Sequence, residues 1–134
     1  MKKIEASLKY IKGSCYKLND VADLIRNLDV RDAELQLTFC RKRFAVIVKK
    51  LLLSAIANAE NNFKIGKERL QVSAVEVGKA FVLKRSMPRG RGRMTRIEKR
   101  YSNLKIVLSE KVDNKKDSKK TLKKVVKKSV SDNK

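Results

Sequence analysis

A chain of 134 residues has room for one domain with a modest core. Its 35 lysines and arginines face only 14 acids, a formal net charge of +21, and histidine is absent. That excess is beyond what solubility needs and points to a polyanionic partner, because neutralising phosphates releases counterions. Without histidine the commonest general base and the commonest metal ligand are missing, so no cofactor and no metal site are expected. The two cysteines, Cys15 and Cys40, are too few for a zinc site on their own and read as reduced thiols. Met1-Lys2-Lys3 leads into an alternating segment, so no signal peptide is expected. The longest aliphatic run, near Leu51-Leu52-Leu53, is too short for membrane insertion.

Ile4, Ala6, Leu8 and Tyr10 alternate with Glu5, Ser7 and Lys9, the period of a half-buried strand that Lys12-Gly13 ends. Ser14 then stands as a helix N-cap. Leu18, Val21, Ala22, Ile25 and Leu28 recur at helical spacing, which predicts an amphipathic helix from about Cys15 to Asn27. Asp29 caps a second, short helix striped by Val30, Ala33 and Leu37, with Asp32 favouring its dipole. The strongest pattern predicts a helix from Arg41 to Asn61. Phe44, Ile47, Val48, Leu51, Ala55 and Ala59 share one face, and Arg41, Lys42, Arg43, Lys49 and Lys50 load its early and middle turns with charge. Ile4, Leu8, Val21, Ile25, Phe44, Ile47, Val48, Leu51, Leu70 and Leu104 form the expected core.

From Leu70 the chain turns strand-like, with a change of phase near Val75 that calls for a bulge or for cover on both faces. Leu104, Ile106 and Leu108 alternate later. Two strands around a Pro/Gly-rich segment make a hairpin, with its protruding part at about residues 79–100. Between Lys79 and Arg100 stand nine basic residues and one acid, Glu98. The tip, Ser86-Met87-Pro88-Arg89-Gly90-Arg91-Gly92-Arg93, has almost nothing apolar to bury, and its like charges repel. Arginine suits phosphate here, since its planar fork donates two parallel hydrogen bonds. Arg85, Arg89, Arg91, Arg93 and Arg96 are the expected phosphate ligands of the arm, supported by Lys84, Lys99 and Arg100. Arg41, Lys42, Arg43, Lys49 and Lys50 would dock the body. The expected architecture is α+β: a small three-stranded antiparallel sheet packed with three helices, one long protruding basic β-hairpin, and a disordered lysine-rich C-terminal tail. Residues 1–111 form the domain and residues 112–134 the tail. Within the tail Leu122, Val125, Val126 and Val130 keep helical spacing, so a helix on an anionic surface is the alternative to disorder there.

Three stretches carry a resemblance. Ser54-Ala55-Ile56-Ala57-Asn58-Ala59-Glu60-Asn61-Asn62, then Leu83-Lys84-Arg85 with Met87-Pro88-Arg89-Gly90-Arg91-Gly92-Arg93, and Val21-Ala22-Asp23-Leu24-Ile25-Arg26 together resemble the family of the bacterial large-ribosomal-subunit protein twenty-two, over about Ile4 to Lys111. The resemblance implies a structural constituent of the large subunit, in the cytoplasm and of bacterial or organellar type. Such a protein binds large-subunit ribosomal RNA, aids assembly and contacts neighbouring ribosomal proteins and the nascent peptide. It also implies that the hairpin tip, here Ser86 to Gly92, lines the nascent-peptide exit tunnel, where changes affect macrolides. The chain departs from the family where Cys15-Tyr16-Lys17 replaces the usual Pro-Arg-Lys, so only Lys17 carries over as a phosphate contact. Asn19 replaces a frequent arginine, and Gly90 replaces a usual alanine, which implies a more flexible tip.

Two other readings stand beside this one. An architectural DNA-binding protein could wedge Met87-Pro88 of a β-arm into a minor groove, although nothing in the chain marks the dimer interface that such proteins use. An enzyme is disfavoured: Gly90-Arg91-Gly92 lacks the Gly-Lys-Ser/Thr ending of a phosphate-binding loop, and the carboxylates form no recognisable pair.

Overall fold

The computed structural model describes residues 3–111. Among these residues the chain forms three α-helices and one three-stranded antiparallel sheet. In chain order they are β1 (Lys3–Lys12), α1 (Cys15–Ala22), α2 (Val30–Phe39), α3 (Ala45–Phe63), β2 (Leu70–Pro88) and β3 (Met94–Glu110). The sheet order is β1-β3-β2. The tail, and the helical spacing of Leu122 to Val130 within it, lie outside the described residues.

β3 is the central strand and the longest apolar alternation in the sheet. Leu104, Ile106 and Leu108 are fully buried against Ile4, Leu70 and Val72 from its neighbours and against the helices. β1 pairs with β3 only from Lys12↔Tyr101 to Lys3↔Ser109, whereas β2 follows it to Pro88↔Met94. The sheet is therefore three strands wide in the body and two strands wide beyond it. The seven ladder residues from Val82 to Pro88 carry the hairpin roughly 23 Å past the body at about 3.3 Å per residue.

Two bulges sit where body becomes arm. In β1 three steps from Leu8 to Ile11 oppose two from Leu104 to Ser102, and in β2 three steps from Lys79 to Val82 oppose two from Ser102 to Arg100. A third irregularity lies between Val72 and Ala74, where the apolar phase of β2 changes. A bulge bends its strand and re-aims the side chains that follow. The alternation Ile4, Ala6, Leu8, Tyr10 therefore holds only in part. Ile11 takes the buried place and Tyr10 swings out. Leu8 keeps its direction but is not in the core: it is 39% exposed and lines an open groove between β1 and α3 with Ile47 and Leu51. Ile47 is correspondingly only half-buried.

Two helix boundaries also differ from the spacing. α1 stops at Ala22, because residues 23–27 wind into tight turns that bring Asn27 and Leu28 to the edge of β2. There Asn27 N–H donates to Val72 C=O (3.1 Å) and Val72 N–H donates to Leu28 C=O (2.9 Å). Ile25 is still fully buried, as its spacing requires. α3 starts at Ala45, not Arg41. Three successive cations at a helix N-terminus would oppose the positive end of its dipole, and Arg41-Lys42-Arg43 form the preceding turn instead. Phe44 anchors that turn in the core at 6% exposure. At the other end Lys64 takes a left-handed conformation (φ 56°) and its N–H reaches the carbonyls of Ala59 and Glu60. Ser14 and Asp29 occupy the N-cap positions of α1 and α2, but neither side chain makes a capping bond.

Gly13 locks the first strand to the arm's root. Its N–H donates to Arg100 C=O (2.9 Å), and the buried Ser102 hydroxyl donates to Gly13 C=O (2.9 Å). A Cβ at Gly13 would fall 2.2 Å from the ring of Phe44, whereas Gly78 has open space around it. Gly13→Ala is expected to lower unfolding stability by roughly 1–3 kcal/mol through overpacking, with Gly78→Ala changing it by less than about 1 kcal/mol. Chemical denaturation of the two variants measures this directly.

The body's acids are concentrated in ion pairs, three of them at the end of the ladder opposite the tip: Asp29–Lys111, Arg31–Glu68 and Glu34–Lys67. The hydrogen bond from Lys67, with the charges of Lys67 and Lys49, holds the Glu34 carboxyl below its ordinary range. A depressed carboxyl stabilises the fold fully above its unfolded pKa and loses that contribution as pH falls through the folded value. Glu34→Gln is therefore expected to cost up to about 1 kcal/mol near neutrality. The gap to wild type should close as pH drops below the usual carboxylate range, read from denaturation midpoints across pH.

Candidate nucleic-acid interface

The arm is built to stay open. From Lys84 to Arg100 every residue is exposed, and the backbone ladder is the arm's only continuous internal bonding. At the tip Arg89 N–H donates to Arg93 C=O (2.7 Å) and closes a 3-10 turn over Gly90–Gly92. Arg91 (φ 59°) and Gly92 (φ 70°) both take left-handed backbone there. Gly92 supplies that conformation without a Cβ penalty. Gly90 has no such requirement and has open space, so the alanine expected at this place would fit.

The electrostatics follow from the pairing. Of the nine cations from Lys79 to Arg100, only Arg100 has an acidic partner among the described residues: its guanidinium bonds Glu98 at 2.8 and 3.0 Å. Arg85 donates to the carbonyl of Lys84 (2.9 Å). Lys84, Arg89, Arg91, Arg93, Arg96 and Lys99 make no ion pair among the described residues. Alternation along the two strands puts Lys84 and Arg96 on one face of the ribbon and Arg85 and Lys99 on the other, while Arg89, Arg91 and Arg93 cluster in the tip turn.

On the body the predicted residues divide into groups. Lys17, Lys42 and Arg43 line one hollow together with Lys12, Gly13 and Phe44. Lys42 is held loosely there by Asp20 (3.6 Å), and the Arg43 guanidinium lies 5.7 Å from the Phe44 ring centroid. Arg43 and Lys50 also rim the groove of about 580 Å³ between β1 and α3, with Lys9 and Lys12. Arg41 is exposed in the turn before α3. Lys49 stands apart: it is half-buried, donates to the Thr38 hydroxyl (2.9 Å) and faces α2. The structure thus adds Lys9 and Lys12 to the basic surface and moves Lys49 away from it. The signal for the first two was present, since both flank the apolar positions of β1.

Among the described residues no three His, Cys, Asp or Glu side chains gather as metal ligands would, and no helix is long and apolar enough to cross a membrane. The comparisons agree with one another. The family described as ribosomal protein L22p/L17e matches residues 6–109. The large ribosomal subunit protein uL22 of Rickettsia conorii is 54% identical over 109 residues, covering 81% of this chain and 92% of that protein. The proteins of the same name from Rickettsia canadensis and Rickettsia typhi are 55% and 53% identical over the same length and shares. Nearly the whole described body and arm fall inside the match, and the chain belongs to the ribosomal protein L22p/L17e family, a family of structural and not catalytic proteins.

Proposed function

We propose that the chain is a structural constituent of the large ribosomal subunit that binds large-subunit ribosomal RNA with its body and inserts its hairpin to form part of the nascent-peptide tunnel wall. The observation that carries this reading is the arm: a two-stranded finger whose cations, Arg100 apart, have no acidic partner among the described residues. Close-packed like charges repel one another, and folded RNA would supply the neutralising negative charge on several sides at once. The body would dock through Lys17, Arg41, Lys42, Arg43 and Lys50, with Lys49 in a lesser part because Thr38 already holds it. Arg85, Arg89, Arg91, Arg93 and Arg96 would bridge phosphates, supported by Lys84, Lys99 and Arg100. These contacts read backbone and shape, because an A-form major groove is too deep and narrow for base readout. Ser86 to Gly92 would face the tunnel lumen and the nascent peptide. Neighbouring ribosomal proteins are the expected further partners. The DNA-binding alternative gains no support from the three relatives named above, each of which carries a ribosomal name.

Binding to ribosomal RNA is expected to weaken steeply with salt. Replacing Arg89, Arg91 and Arg93 by alanine should flatten the log–log salt slope by about one unit or slightly less for each phosphate no longer neutralised. A fall in affinity at constant slope would show that these arginines read something other than phosphate.

Removing Met87 to Arg91 should spare the body's fold, since none of these residues is buried. In assembled ribosomes the deletion is expected to alter macrolide response or stalling on particular nascent chains. Normal assembly with both readouts unchanged would rule out the tunnel-lining role.

A further inference from the structure

Three aromatic rings lie in a row at the root of the arm. Phe81 stacks on Tyr101 (centroids 4.5 Å apart, planes at 23°), and Tyr10 leans on Phe81 (5.5 Å, 49°). They come from all three strands, at the level where the bulges in β1 and β2 face each other across β3. Tyr101 alternates with the buried Ser102, so the row lies on the sheet face opposite the core.

Packing alone does not account for this row. Tyr10 is 59% exposed and Phe81 45%, so little apolar area is removed from water. Tyr10 also sits at φ 63°, a left-handed backbone that a bulky residue avoids. Its N–H donates to Asn103 Oδ1 (3.1 Å), which fixes the bulge in place. A strained conformation thus ends in an exposed ring, and strain held by the surrounding structure is a mark of functional positions. Lysines lie near the row: Lys9 precedes Tyr10 in β1, Lys12 pairs with Tyr101 in the ladder, and Lys79 lines a groove beside Tyr101 in which Arg100 is already held by Glu98. Aromatic faces set near lysines favour an unpaired nucleotide, with the base on the ring and its phosphates on the lysines.

We propose that Tyr10, backed by Phe81 and Tyr101, is a stacking platform for an unpaired base of the RNA at the arm's root. It rests on the RNA-binding reading above and adds to it a contact to base faces, independent of phosphate charge. Phe81 contacts both other rings, and Tyr10, the most exposed of the three at 59%, is the open member.

The test compares the full chain's affinity for a single-stranded adenosine octamer and for an abasic octamer with the same number of phosphates, at one salt concentration. The adenosine octamer is expected to bind at least about fivefold more tightly. Tyr10→Gly and Phe81→Leu should each reduce that preference and leave the salt slope unchanged, whereas Phe39→Ser, on an exposed ring elsewhere, should leave the preference intact. Tyr10→Gly should melt no lower than wild type, because glycine relieves the backbone strain. If Tyr10→Gly lowers the melting temperature and keeps the preference, the ring serves the fold and the proposal is overturned. Equal affinity of the wild type for both octamers also overturns it. Binding of neither octamer would also overturn the platform, while failure of the full chain to bind folded large-subunit ribosomal RNA would remove the RNA-binding reading itself.

Discussion

The structure depends on a single strand serving two purposes. β3 runs unbroken for 17 residues, with its later part held between β1 and β2 and its earlier part paired to β2 alone. Buried Leu104, Ile106 and Leu108 fix the register of the inner part. A slip of one residue would turn all of them to the wrong face. The same register then propagates outward through backbone bonds to Pro88↔Met94, where no side chain is buried to hold it. The core in this way aims an arm that has no core of its own.

Charge distribution completes that division. Acids on the body are matched at the far end of the ladder by Lys111, Arg31 and Lys67, while the arm keeps a single acid. Apart from Arg100–Glu98, repulsion among the arm's cations is left uncompensated among the described residues, and the ladder holds them in a narrow ribbon despite it. The bulges at Leu8/Ile11 and Lys79/Val82 mark the seam between the two regimes. The same seam carries Gly13, Ser102 and the aromatic row. The proposed RNA-binding role accounts for an arm with open charge and a root with open rings.

Much of this was legible in the residues. Helical spacing located Val21, Ile25, Val48 and Leu51, and the density of arginine and glycine located the tip. Strand pairing was legible from alternation on both sides of it. What escaped was set by contacts between distant residues. The end of α1 at Ala22 depends on Asn27 and Leu28 finding Val72, about 45 residues later. Whether Leu8 is covered depends on how closely α3 approaches β1. The outward turn of Tyr10 depends on Asn103, whose side chain receives its N–H from the other end of the chain. The late start of α3 was the exception: three cations before Phe44 are a local signal against a helix N-terminus, and it competes with the apolar period that runs through them.

The most direct test of the central claim, that a protein-aimed basic ribbon is completed by RNA, is a cryo-EM map of large ribosomal subunits containing this chain. The account predicts guanidinium groups of Arg89, Arg91 and Arg93 about 3 Å from phosphate oxygens, with the β2–β3 ladder intact to the tip and the helical body against the RNA surface. An arm folded back on its own body, or a tip whose arginines have no phosphate within hydrogen-bonding distance, would contradict it.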